Sequence, residues 1–476
     1  MPAVWLSILL VLTTLGGVMM ALYHWQRLAS PHPELVRKLL HIPMGLMTLS
    51  FPWLFETVQP VLLVGGLAIA TLLALRHYPP LASRFGQVLG GVKRRSLGEI
   101  YFPLSVMLLF GLTPHQPLLF CIPILILTLA DAVAALIGTY YGHYRYTATE
   151  GQKSAEGSIG FFTVTFLSVH IPLLLFSSTG RAESLLIALI LGLLVMLLEA
   201  IAWQGLDNLL IPLGSFLLLT THGEMDVAAL GVRLAVLLGL SLLVWGWHDR
   251  TTLNDSALLG AILVGYFCWA IGGWPWLVAP LTLLISYPFL IYRVFPLQAP
   301  LSPTERQWMA WVPDDAALPV TPWHPPHWQR VYWQRVHNVH AVLSVAAAGL
   351  CWLFIYRLTN ASALIYPYTL AFAANLAIIG IAGLPRDRYW ARERMQWVSV
   401  YTLLSWLLLY APLVVMHQFA RTAVLGALLG LVGIGSVAIA YYCTQPKLRQ
   451  SSSTFQWLCR VVYTLLGSLA ALLPLN

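Results

Sequence analysis

The sequence predicts an all-helical, polytopic membrane protein, a transmembrane helix bundle of about fifteen spans. Three observations carry this. Of 476 residues, 59% are hydrophobic and 9% charged; a soluble domain carries roughly 25% charged residues, so a water-facing surface cannot be assembled. Apolar stretches of about 17 to 25 residues, the length that crosses a bilayer as a helix, recur from end to end. Polar residues gather in the short segments between them.

The first stretch, 4–23, has neither a preceding basic residue nor a small-residue cleavage site, and reads as a permanent span. Basic residues fall in alternate loops, among them Arg37 and Lys38, Lys93 to Arg95, Arg145 and Lys153, Arg250, Arg330 and Arg335, Arg386 to Arg394, and Lys447. The positive-inside rule makes these loops cytoplasmic and puts the amino terminus outside. The net charge of +8 is thereby spread along the chain. Nucleic-acid binding requires a continuous basic face, and none is formed. The five cysteines lie in or near apolar segments without C-x-x-C spacing, so neither a disulfide framework nor a zinc site is implied.

Polar interruptions organise the chain. Residues 1–225 form one membrane domain, 226–299 add transmembrane helices, 300–337 form a Pro- and Trp-rich cytoplasmic loop at the membrane interface, and 338–476 form the C-terminal helices. Before residue 225 the polar residues are chemically diverse; after it the spans are mostly Leu, Ala, Val and Gly. Ionisable groups within a membrane are expensive and mark function, which places the chemistry upstream. Oligomeric state has no sequence signature here.

Four clusters stand out upstream. In Glu34-x-x-Arg37-Lys38-x-x-His41, helical spacing puts Arg37, Lys38 and His41 on one side, with His41 a turn inside an apolar span. Lys93-Arg94-Arg95-Ser96-x-Gly98-Glu99 precedes another span and, taken alone, is a topology signal. The third and richest cluster sets Asp131 about two turns inside a span, then Gly138 and Gly142 beside a short polar loop, then Lys153-Ser154-x-Glu156-Gly157-Ser158. Glycines let backbone amides approach phosphates, a lysine supplies a point charge, and Ser154 and Glu156 are suited to orient a nucleotide or its metal. The spacing is not a Walker P-loop, because Gln152 separates Gly151 from Lys153. A flexible loop with a helix cap is the plainer alternative. The fourth cluster, Glu199 with Asp207-Asn208, adds oxygen ligands at the same membrane edge, although Asp207-Asn208 alone reads as a helix cap.

These motifs, in this order, resemble the family of phytol, dolichol and polyprenol kinases, which is distantly similar to the CTP-using phosphatidate cytidylyltransferases. The likeness spans roughly residues 30–220 and is most specific at Lys153-Ser154-x-Glu156-Gly157-Ser158. One departure is Ala130, where the family usually has Gly before the aspartate. The resemblance implies transfer of a phosphoryl group from a nucleoside triphosphate, CTP in most of the family, to an isoprenoid alcohol held in the bilayer, with a cytoplasmic site and Mg2+. It implies Arg37, Lys38, His41, Gly138, Gly142, Ser154, Gly157, Asp207 and Asn208 around the nucleotide and its phosphates. Lys153 then neutralises phosphoryl charge, and Asp131 and Glu156 serve as catalytic carboxylates or magnesium ligands. A lipid-phosphate cytidylyltransferase and a non-enzymatic transporter or scaffold are the alternatives.

Overall fold

A computed structural model describes residues 2–29, 33–77, 97–294, 337–382, 384, 391–448 and 450–475. Among these, 12 helices are long and apolar enough to cross a membrane, and three shorter apolar helices, Leu39–Leu49, Gly98–Leu112 and Trp274–Leu290, accompany them. The chain is the expected helical membrane protein. The described residues divide into two compact units, Met1–Leu237 and Leu238–Asn476.

The first unit begins with α1 (Pro2–Ala29), α2 (Pro33–Leu49), α3 (Val58–His77) and α4 (Gly98–Leu112). A long span follows, Pro117–Tyr141, built from α5 (Pro117–Leu125), a π-helical turn (Ile126–Ala130) and α6 (Asp131–Tyr141). Strands β1 (Arg145–Thr147) and β2 (Gln152–Ser154) then form an antiparallel hairpin, with Tyr146 opposite Lys153. Helices α7 (Ala155–Phe176), α8 (Arg181–Ile201), α9 (Asp207–His222) and α10 (Val227–Trp247) follow, and the division between units falls within α10.

Small residues set how closely these helices approach. A Cβ on Gly157 would lie 3.0 Å from the Ala134 carbonyl oxygen and 3.3 Å from the Gly138 Cα, so α6 and α7 meet backbone to backbone. A Cβ on Gly45 would collide with Thr128, which seats α2 against the π turn. That turn is the hub of the unit and packs against α2, α5, α6, α7 and α9.

In the second unit, α12 (Trp274–Val294), α13 (Val339–Thr359), α15 (Ala391–Met416), α16 (Arg421–Leu448) and α17 (Ser453–Ser468) surround α14 (Ile365–Ala382), and α11 (Asp255–Gly272) packs on α12 and α13. Fully 94% of the span containing α14 is buried, as a central helix among apolar neighbours requires. Residues 300–336 of the expected interfacial loop lie outside the described residues. His337, at its end, pairs through its backbone with Thr252 and Asn254.

Candidate active site

The π turn places Asp131. A π-helical turn carries one residue more than the α-helix around it and shifts the side chains that follow, which is why such turns recur at functional sites. Asp131 begins the regular helix immediately after the turn, midway along its span, and is 9% exposed. His41 Nε2 lies 3.4 Å from the Leu127 carbonyl oxygen of the turn. The Phe102 ring meets His41 edge to face, with centroids 5.2 Å apart. Cluster one therefore reaches cluster three at the turn that presents Asp131. The side chains of Arg37 and Lys38 lie outside the described residues, as do Lys93 to Ser96.

The loop expected after Gly142 is a β-hairpin, and Gly138 lies within α6 rather than at the loop's edge. Close packing explains both glycines. A Cβ at Gly138 would stand 3.1 Å from Ser154 Oγ, and one at Gly142 would stand 2.8 Å from Ser154 Cβ. Ser154 in turn caps α7, its Oγ accepting from Gly157 N at 3.1 Å. Glu156, in the first turn of α7, accepts the Tyr144 amide on Oε1 at 3.1 Å. Its Oε2 is buried without a hydrogen-bond partner.

The hairpin is fastened to the end of α8 and the segment after it. Lys153 Nζ donates to Glu199 Oε1 at 2.6 Å and to the Glu199 carbonyl at 2.5 Å. Thr149 Oγ1 donates to the Ile201 carbonyl at 2.9 Å, and the Gln204 amide donates to Glu150 Oε1 at 3.0 Å. The last carbonyls of a helix lack intrahelical donors, so the hairpin supplies a side-chain cap for α8. Gln204 and Gly205 take left-handed backbone angles, φ 52° and 81°, to turn the chain into α9. The Gln204 carbonyl then accepts from Leu97 N at 3.0 Å, which brings in cluster two at the start of α4.

Burial alone would lower the Lys153 pKa. The Glu199 carboxylate, by its charge and hydrogen bond, outweighs that effect with help from Tyr146 and Asp207, so the ammonium sits above the ordinary lysine value. Asp207, the first residue of α9, thus lies within electrostatic reach of Lys153. Beside it, Asn208 is 6% exposed and its Oδ1 is buried without a partner. Sequence reading missed Tyr146, whose hydroxyl lies 2.8 Å from Ser158 Oγ, and missed Thr149, Glu150 and Gln204. Their roles depend on a hairpin whose strands are three residues each, too short to show alternation.

Among the described residues, no three of His, Cys, Asp and Glu gather closely enough to hold a metal unaided. The carboxylates of the third cluster, Asp131 and Glu156, are hard oxygen donors. Such a set suits Mg2+, which is commonly held by one or two carboxylates together with substrate phosphates.

No protein-family model matches this chain, and no solved structure matches it. A curated phytol kinase from Synechocystis sp. (strain ATCC 27184 / PCC 6803 / Kazusa) is 30% identical over 216 residues, which make up 45% of this chain and 90% of that relative. The match covers the N-terminal part, where all four clusters lie. With that identity across nearly the whole of the relative, this chain belongs, through its N-terminal part, to the phytol kinase family.

Proposed function

We propose that this chain is a membrane-embedded kinase that transfers the terminal phosphoryl group of a nucleoside triphosphate, CTP, to the hydroxyl of an isoprenoid alcohol. The observation that carries the reading is the likeness to a phytol kinase over the unit in which the hairpin, α8 and α9 bring Lys153, Glu199 and Asp207 together. The alcohol oxygen attacks the terminal phosphorus, the bond to the bridging oxygen breaks, and a prenyl phosphate and a nucleoside diphosphate leave.

Phosphoryl transfer asks the protein mainly for positioning and charge neutralisation. Two of the three Lys153 ammonium protons are held by Glu199, and the third is available for a phosphoryl oxygen. Arg37, Lys38 and His41 meet the remaining phosphates, and Asp207 and Asn208 hold the nucleotide. Asp131 and Glu156 would hold Mg2+, which when bound neutralises phosphate charge. The alcohol proton would pass to a carboxylate of this pair when the other alone holds the metal. By the positive-inside rule the nucleotide side of this site is cytoplasmic, and the alcohol arrives from the bilayer.

The test offers the purified protein prenyl alcohols of graded length and, as further acceptors, a prenyl phosphate and phosphatidate, each with CTP, ATP, GTP and UTP. Prenyl monophosphate with release of the nucleoside diphosphate, fastest from CTP, is the expected outcome. Pyrophosphate release would make the chain a cytidylyltransferase. No turnover with any pair would leave the transporter or scaffold reading.

A further inference from the structure

Glu199 has no part in the chemistry described above, yet it gives Lys153 both of its acceptors. One is the carboxylate and the other is the carbonyl of the same residue, at 2.6 and 2.5 Å. The pair is sheltered, the Glu199 side chain being 13% exposed and that of Lys153 29%. Resting on the kinase reading, we propose that Glu199 is a positioning residue, which clamps the Lys153 ammonium so that its third proton faces the transferred phosphoryl group.

Three features support a clamp rather than a chance surface pair. A lysine side chain on a hairpin is otherwise a flexible point charge; two acceptors on one residue fix the nitrogen in space. The acceptors sit in the last turn of α8, where unsatisfied carbonyls and the helix dipole both favour a cation. The hairpin is held in the same register by Thr149 on the Ile201 carbonyl and Glu150 on the Gln204 amide, so the clamp has a rigid frame. A preorganised charge acts on the transition state without reorganisation at the moment of reaction.

The charged and titratable groups facing Lys153 are Glu199 from α8, Tyr146 from β1 and Asp207 from α9. Removing the Glu199 charge leaves burial to act against a weaker set, so the Lys153 pKa falls. The ammonium is then lost at lower pH, and the alkaline limb of kcat/KM moves down in pH.

The experiment compares Glu199→Gln, Glu199→Ala, Lys153→Ala and the double Lys153→Ala/Glu199→Ala variant in the full-length protein. Glu199→Ala is expected to lower kcat about a hundredfold and Glu199→Gln about tenfold, the size of effect seen when electrostatic contacts to a transition state are removed. KM for the alcohol stays within about twofold, and the double variant falls within about twofold of Lys153→Ala, as residues acting as a unit do. Glu199→Gln preserves shape and an acceptor oxygen, so it carries the test if the alanine variant does not fold. A second readout needs no turnover: competitive acetylation of the Lys153 amine across pH should show a lower apparent pKa in Glu199→Gln. Losses that multiply in the double variant, or a Glu199→Gln protein with unchanged kcat and unchanged labelling, would overturn the proposal while leaving the kinase reading intact. Wild-type protein inactive with every alcohol and nucleotide would overturn the kinase reading, and this proposal with it.

Discussion

In the unit Leu238–Asn476, large polar side chains are turned back onto the bundle that buries them. Asn375 donates to the carbonyls of Val345 and Ala371, Tyr410 to that of Tyr366 and Trp406 to that of Ala427, while Trp352 donates to Ser468 Oγ. In the unit Met1–Leu237, a carboxylate oxygen of Glu156 and the amide oxygen of Asn208 are buried without partners, each two residues into its helix. Unpartnered neutral groups occur in both units, the Thr165 and Ser215 hydroxyls in one, the Thr252 and Ser405 hydroxyls and the Trp247 indole N–H in the other. The difference lies in the charged group: Glu156 has one carboxylate oxygen without a hydrogen-bond partner, while backbone amides around the carboxylate favour its charged form. One unit uses its polar groups to fix helices against one another. The other keeps acceptors open in the first turns of α7 and α9, the arrangement expected where a charged ligand completes the shell.

Lys153→Ala is the most direct way to break this comparison. If the clamped cation serves chemistry, turnover at saturating nucleotide falls by about a hundredfold or more at equal abundance. If the ion pair only fastens the hairpin, thermal stability in detergent falls while the kcat of the folded fraction is kept. Asp131→Asn comes next in size. It preserves the shape at the end of the π turn and removes the charge, and a loss of at least about tenfold is expected. Partial recovery at raised Mg2+ would assign the carboxylate to the metal, and loss without recovery would assign it to the alcohol proton.

The four clusters were legible in the sequence because ionisable residues inside or beside apolar spans are rare and cannot hide in a solvated surface. Their joining was not. Lys153 and Glu199 are 46 residues apart, and the contact depends on the hairpin, which is invisible to periodicity when each strand has three residues. The π turn has no signature in 126–130, which reads as ordinary apolar helix. Gly138 and Gly142 have the four-residue spacing of close helix packing, and the structure uses them so; any approach of a phosphate must share that ground. Contacts divide the described residues inside α10, at 237 and 238, where a continuous helix carries no compositional mark.

A shortened chain sharpens the comparison at smaller scale. The phytol kinase relative, of which 216 residues are 90%, is itself about as long as the unit Met1–Leu237. A chain ending after Arg250, which keeps α10 and the short 3-10 turn His248–Arg250 whole, is expected to retain prenyl-alcohol phosphorylation within about fivefold of the full-length protein. The assay compares initial rates of the two chains in the same detergent, normalised to folded protein by size-exclusion profile. Complete loss in a monodisperse shortened chain would mean that the second unit contributes to the reaction, and the contrast drawn between the two units would fail.

The smallest effect is expected from Tyr410→Phe, and it tests the other side of the contrast. The Tyr410 hydroxyl donates to the Tyr366 carbonyl at 3.0 Å in the buried centre of the second unit. Its removal leaves the ring packed and the carbonyl still able to serve its own helix, so the cost is that of one interhelical hydrogen bond. In a membrane protein this is about 0.6 kcal/mol, with an upper bound near 2 kcal/mol. The unfolding midpoint in detergent should fall slightly, while kcat and both KM values stay at wild type, because the bond holds α15 to α14 within the second unit. A Tyr410→Phe protein with an unchanged midpoint and reduced kcat would reverse the assignment, since it would show that a polar group read as a packing contact acts on the reaction.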